Sequence, residues 1–160
     1  MIALSNNGEK TLRFGWREWV ALPALGLPLI KAKIDTGART SALHAFELHP
    51  FEENGKRRIR FRIHPKQRNL AIEMECVADI VDERIVRDSG GHEESRFVIE
   101  TPVRIGKHEW PIEITLTARD DMSFRMLLGR TAMIGRAIVD PSRSYEVGKK
   151  PKKKKTGATS

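Results

Sequence analysis

Leu29-Ile30-Lys31-Ala32-Lys33-Ile34-Asp35-Thr36-Gly37-Ala38 is a largely apolar run that stops at a carboxylate. The residues up to Ile34 read as a β-strand, and small and polar residues take over from Asp35, so a strand ending in a tight loop is expected. On the N-terminal side, Arg13 to Leu22 interleaves apolar with charged residues before Pro23, Gly26 and Pro28 punctuate a turn. Residues 1–12, with Asn6-Asn7-Gly8 and no periodicity, read as a flexible arm.

On the C-terminal side the chain continues as short strands. Ser41 to Leu48 reads as one, and Asn54-Gly55 between Phe51 and Ile59 is a strong hairpin-turn signal. Arg58 to His64 alternates. Leu70 to Arg87 and Arg96 to Ile105 carry apolar and β-branched residues at near-alternate positions, broken by Asp88-Ser89-Gly90-Gly91, and read as one long hairpin. Gly106-Lys107 makes the next turn, Trp110 to Thr117 another strand, and Met126-Leu127-Leu128-Gly129 a short buried run, with a short helix starting near Arg130. There is no sustained helical period and no internal repeat, so the chain reads as all-β with one short C-terminal helix.

Composition sets outer bounds. The chain has 160 residues, 39% apolar and 31% charged, which suits one domain with its own core and argues against wholesale disorder. We expect that domain over residues 13–147, with 148–160 as a disordered lysine-rich tail. The formal charge is +8, but Lys149, Lys150 and Lys152 to Lys155 supply six of those charges, leaving +2 for the remainder. The tail therefore reads as a solvated segment or as an electrostatic tether to RNA or an acidic partner. No apolar run is long enough to cross a membrane, no leader peptide is evident, and the single thiol, Cys76, cannot form an intramolecular disulfide; a cytoplasmic protein without membrane contact is expected. Cys76 lies in an alternating stretch and reads as a half-buried strand thiol without chemistry.

Three segments occur in a telling order. A strand leads into Asp35-Thr36-Gly37-Ala38, a hairpin carries Gly90-Gly91 at its tip, and Leu127-Leu128-Gly129-Arg130 opens the final segment. Together they resemble the retropepsin family, over roughly Leu29 to Ile138. The fuller string Ala32-Lys33-Ile34-Asp35-Thr36-Gly37-Ala38-Arg39-Thr40-Ser41-Ala42-Leu43-His44-Ala45, preceded by Gly15-Trp16-Arg17-Glu18, resembles a small bacterial group of retropepsin-like proteins labelled ATP-dependent zinc proteases. The resemblance implies a closed retropepsin-like barrel, active as a two-fold dimer. It also implies a pathway link to an ATP-grasp ligase that adds glutamate to a ribosomal protein. The sequence offers nothing for the zinc and ATP of that label. No His-Glu-x-x-His pair occurs, His44, His49, His64, His92 and His108 are scattered, and no glycine-rich loop ends in Gly-Lys-Ser/Thr, so neither metal nor cofactor is expected.

The chemistry explains the residue types. Peptide hydrolysis without a metal or covalent intermediate needs one group to take a proton from water and another to protonate the scissile carbonyl. Two carboxylates about 3 Å apart, sharing one proton, do both. One chain supplies one Asp-Thr-Gly, so the second carboxylate must come from a symmetric partner. On this resemblance Asp35, Thr36 and Gly37 are the catalytic loop: Thr36 bonds across the axis, and Gly37 lets substrate approach. Ala38, Arg39, Gly90, Gly91 and Arg130 are candidate substrate-binding residues, the two glycines letting the flap bend over bound peptide. Retropepsins commonly place an acid where Arg39 stands, to pair with the arginine at the position of Arg130. With that pair lost, the two arginines either find other acids, such as Glu47 or the partner chain, or meet an acidic peptide. A second reading is a catalytically silent module of the same fold that binds peptide or ribosomal material; a zinc hydrolase is a distant third.

Overall fold

The computed structural model describes residues 11–66, 69–87, 90–118 and 123–150. The expected arm up to residue 10 and the tail from residue 151 lie outside the described residues, as do Asp88 and Ser89 of the hairpin tip. The chain forms β1 (Leu12–Phe14), β2 (Arg17–Leu22), β3 (Leu27–Asp35), β4 (Ser41–His44), β5 (Phe46–Glu53), β6 (Lys56–Ile63), β7 (Met74–Arg87), β8 (Glu93–Ile105), β9 (His108–Thr117), β10 (Met126–Gly129) and β11 (Ala137–Val139). Among the described residues there is no α-helix, and none long and apolar enough to cross a membrane.

Nine strands make one sheet in the order β2-β3-β10-β4-β9-β8-β7-β6-β5, and β1 and β11 pair in parallel beside it. In β3, Ile30, Ala32 and Ile34 turn inward while Lys33 faces solvent, the alternation that a pleated strand imposes. The core gathers side chains from nearly every strand, with Phe14, Leu22, Ile30, Leu43, Phe61, Ile99, Ile105, Ile114 and Leu116 fully buried. Between β5 and β6, Asn54 (φ 53°) and Gly55 (φ 78°) both adopt the left-handed conformation that a two-residue hairpin needs, as the Asn-Gly pair predicts. The long hairpin is β7–β8, paired from Arg87↔Glu93 down to Ile80↔Ile99.

Three expectations need correction. The sheet is not a closed barrel: β2 meets β8 only at Ala21↔Arg104, and β5, β6 and the outer part of the β7–β8 hairpin project beyond that contact. The short C-terminal helix is a single 3-10 turn at Arg130–Ala132, because Gly135 (φ 77°) reverses the chain and delivers Ala137–Val139 to pair with Leu12–Phe14. Ser41 to Leu48 is two strands, since Ala45, with its N–H bonded to Thr117 O, marks the point where the chain leaves β9.

The last described residues form a strap along β2. Trp16 N–H donates to Arg143 O (2.8 Å), Tyr145 N–H to Arg17 O (2.9 Å) and Trp19 N–H to Gly148 O (3.0 Å). Glu18, fully buried, anchors it. Its Oε1 accepts from Val147 and Gly148 N–H (2.8 and 2.7 Å), and its Oε2 from Gly15 and Glu146 N–H (2.8 and 2.9 Å). A Cβ at residue 148 would collide with the Trp19 carbonyl. Among the described residues, packing thus includes Leu12, inside the expected arm, and Gly148, inside the expected tail.

Cys76 is buried in β7 with its thiol 3.6 Å from Leu25 O. Burial, then the neighbouring Glu75 charge, pushes its pKa up to about 11. The thiolate is the reactive form, so at neutral pH the native protein is expected to resist alkylation at least about a hundredfold longer than the chain in denaturant, followed by mass spectrometry.

Candidate active-site cleft

Asp35 is the last residue of β3, where the sheet ends and the backbone turns. Gly37 N–H donates to Asp35 Oδ1 (3.0 Å) and Ala38 N–H to Asp35 O (3.3 Å), so the loop orients its own carboxylate. What fixes the loop is the segment that follows β10. That strand lies between β3 and β4, parallel to the first (Gly129↔Asp35) and antiparallel to the second (Met126↔Leu43). Beyond it, Arg130 N–H donates to Ala38 O (2.7 Å), Thr131 N–H to Arg39 O (3.0 Å), and Arg130 Nη1 to Thr36 O (3.1 Å). Gly129 N–H donates to the buried Ser41 Oγ (3.0 Å). Residue 129 must be glycine on steric grounds: a Cβ there would lie 2.5 Å from Thr40 C and 2.8 Å from Ser41 N. The Asp35 loop and the Gly129-Arg130 segment therefore form one rigid unit.

A cleft of about 390 Å³ separates this unit from the β7–β8 hairpin. Gly37, Ala38, Arg39 and Arg130 line one wall, and Arg84, Ile85, Arg87 and Arg96 the other. Arg84 bonds Asp82 (2.7 Å) and Glu113 (2.9 Å), Arg87 bonds Glu93 (2.6 Å), and Arg96 bonds Glu94 (3.0 Å). The Arg84 hydrogen bond, then the Glu83 backbone N–H, hold the Asp82 carboxyl below its ordinary value. Arg39 and Arg130 have no carboxylate partner among the described residues. Glu47, a candidate for them on sequence, instead faces Arg62 at 3.8 Å.

The structure thus brings Asp35, Thr36, Gly37, Ala38, Arg39 and Arg130 together. Arg130 supports the backbone of the loop as well as facing the cleft. Gly90 and Gly91 are at the exposed hairpin tip and do not line the cleft; Gly91 has φ 84°, which suits a turn. Thr36 opens onto a second groove of about 550 Å³, shared with Trp16, Ile34, Arg130, Met133, Ile134 and Ile138. The arginines of β7 and β8 escaped sequence reasoning because alternation alone does not say which face of a two-faced hairpin looks into a cleft. Among the described residues no group of three or more His, Cys, Asp or Glu side chains could hold a metal.

Residues 13–150 match a family model described as the retropepsin-like aspartic endopeptidase RimB. The chain belongs to the RimB-like family. Curated relatives named probable alpha-L-glutamate ligase match it as well: that of Shewanella pealeana is 46% identical over 136 residues, 85% of this chain and 30% of the relative. The Parasynechococcus marenigrum relative is 47% identical over 134 residues, 84% of this chain and 29% of its own length. The RimB-like chain thus spans less than a third of the length of these relatives. A crystal structure of a Legionella pneumophila protein of unknown function superposes with a TM-score of 0.71 at 24% identity, covering 84% of this chain and 97% of that one, and shares the fold.

Proposed function

We propose that this protein is an aspartic endopeptidase whose dyad forms when the Asp35 loops of two copies meet across a two-fold axis. The observation that carries this is the self-oriented Asp35-Thr36-Gly37 loop, locked by Gly129-Arg130 at the edge of a hairpin-covered cleft. Supporting the pairing, the exposed Thr36 stands beside a groove bordered by Ile134 and Ile138, 69% and 49% exposed, an apolar surface that a second copy would cover. In the dimer one carboxylate activates water while the other, protonated, donates to the scissile carbonyl, and the hairpin closes to exclude solvent.

The substrate we propose is an acidic peptide. Arg39 and Arg130 present guanidinium groups at the cleft wall with no carboxylate partner among the described residues, and a carboxylate-rich chain would supply such partners. The match of this chain to part of proteins named glutamate ligases agrees with work alongside such a ligase, on a cytoplasmic, ribosome-associated protein carrying added glutamate. The test is cleavage of glutamate-rich and neutral peptides as a function of dimer concentration measured by sedimentation. Cleavage should rise with dimer, and Arg39→Glu should slow the acidic peptide about tenfold or more while leaving a neutral one within about twofold. A dimer that binds both peptides and cuts neither would favour the silent module.

A further inference from the structure

The outer face of β2–β3 is unlike the rest of the surface. Elsewhere most described arginines are neutralised by carboxylates: Arg57 by Glu83, Arg58 by Asp79, Arg60 by Glu75, Arg104 by Glu109. On β2–β3 the cations meet aromatic rings instead. The Arg17 guanidinium lies 4.6 Å from the Trp16 ring centroid and 4.8 Å from that of Tyr145. The Lys31 and Lys150 ammonium groups lie 5.2 and 5.6 Å from the Trp19 ring. Trp19 and Tyr145 stack with centroids 5.9 Å apart and planes 21° from parallel. Among the described residues none of Arg17, Lys31 or Lys150 has a carboxylate partner, and Lys33, across from Arg17 in the β2–β3 register, has none either. The sequence goes on from this face into Lys152 to Lys155.

Half-exposed rings interleaved with unneutralised cations are the two parts of a single-strand platform: π-faces on which bases stack, and flexible charges that leave the ring to meet phosphates. The strap locked by Glu18 places Tyr145 and Lys150 against β2, so the platform is preformed by the fold. We propose that Arg17, Trp19, Lys31, Tyr145 and Lys150 form a binding site for single-stranded nucleic acid, separate from the Asp35 cleft. An acidic protein is the competing occupant, but polycarboxylate gains nothing from stacked rings, whereas unpaired bases do.

The test is fluorescence anisotropy of a labelled oligouridylate of about twelve nucleotides, titrated with the full-length protein over a salt series. Saturable binding that weakens with salt is expected. Trp19→Ala should weaken it about tenfold, Trp19→Phe by no more than about twofold, and the double variant Lys31→Ala/Lys150→Ala should lower the salt slope by about one to two. Among the described residues neither lysine side chain hydrogen-bonds the strap backbone, so the pair reads the site even if Trp19→Ala loosens the fold. Absence of binding, equal affinity for a duplex of the same length, equal affinity for a glutamate-rich peptide, or full affinity in both variants would each overturn the proposal.

Discussion

Asp35→Asn is expected to abolish peptide cleavage, by at least about a thousandfold, while leaving the fold and the dimer intact. The expectation rests on what each atom of the side chain does. Among the described residues the only hydrogen bond to the Asp35 carboxylate is the Gly37 N–H at 3.0 Å, and an asparagine Oδ1 accepts it equally well. The carboxamide takes no proton from water, however, and a dyad with one carboxylate replaced cannot share a proton. The checks are cleavage of the acidic peptide, sedimentation for the dimer and thermal melting for the fold, all on the same preparation. If the variant retained cleavage in proportion to dimer concentration, the dyad would be excluded. If it lost cleavage together with the dimer, the loop would be acting in assembly, and the catalytic assignment would lose its support.

Glu18→Ala should be the most destabilising single substitution in the described fold. One carboxylate accepts four backbone N–H groups, from Gly15, Glu146, Val147 and Gly148, all between 2.7 and 2.9 Å. Removing it strands those donors in a buried site, at about 1–3 kcal/mol for each one that cannot reach water. The loss is expected to be about 4 kcal/mol or more, a large part of a typical domain's stability, and to lower the melting temperature by more than about 10 °C. Glu18→Gln separates shape from acceptor chemistry. Either orientation of the amide points an NH2 group at two N–H donors, so glutamine should recover less than half of the loss. Hydrogen exchange would locate the effect, with the amides of Glu146, Val147 and Gly148 losing protection first. A melting temperature within about 2 °C of the parent for Glu18→Ala would mean that the strap contributes little to stability.

Much of the strand order was legible because it rests on local rules. Asn54-Gly55 announces its own hairpin, since few residue pairs enter the left-handed region twice in succession. The alternation in β3 and the abrupt change at Asp35 locate the loop, and the arginine that follows Gly129 signals the segment that supports it. The errors share one cause. Met133-Ile134-Gly135-Arg136-Ala137 is compatible with a helix locally, yet Leu12 to Phe14, more than a hundred residues earlier, offers Ala137–Val139 a strand to pair with. Glu18 stood in the string that carries the family resemblance but had no role legible there, because its four partners lie in the loop before it and in a strap some 130 residues away. The lysine-rich end looked wholly solvated for the same reason, although Gly148 is buried.

Chain pattern alone locates the Asp35-Thr36-Gly37 loop at the end of a strand, the hairpin turns and the alternation along the strands, because periodicity and turn chemistry act between near neighbours. Tertiary structure decides everything that needs two distant segments at once. It opens the sheet where a barrel was expected, turns five arginines toward one cleft, leaves two of them without a carboxylate partner among the described residues, and lays Tyr145 and Lys150 against the Trp19 ring of β2. The physical reason is that hydrogen bonding, stacking and charge pairing depend on distance in space, and spacing along the chain constrains that distance only within an element or across a tight turn.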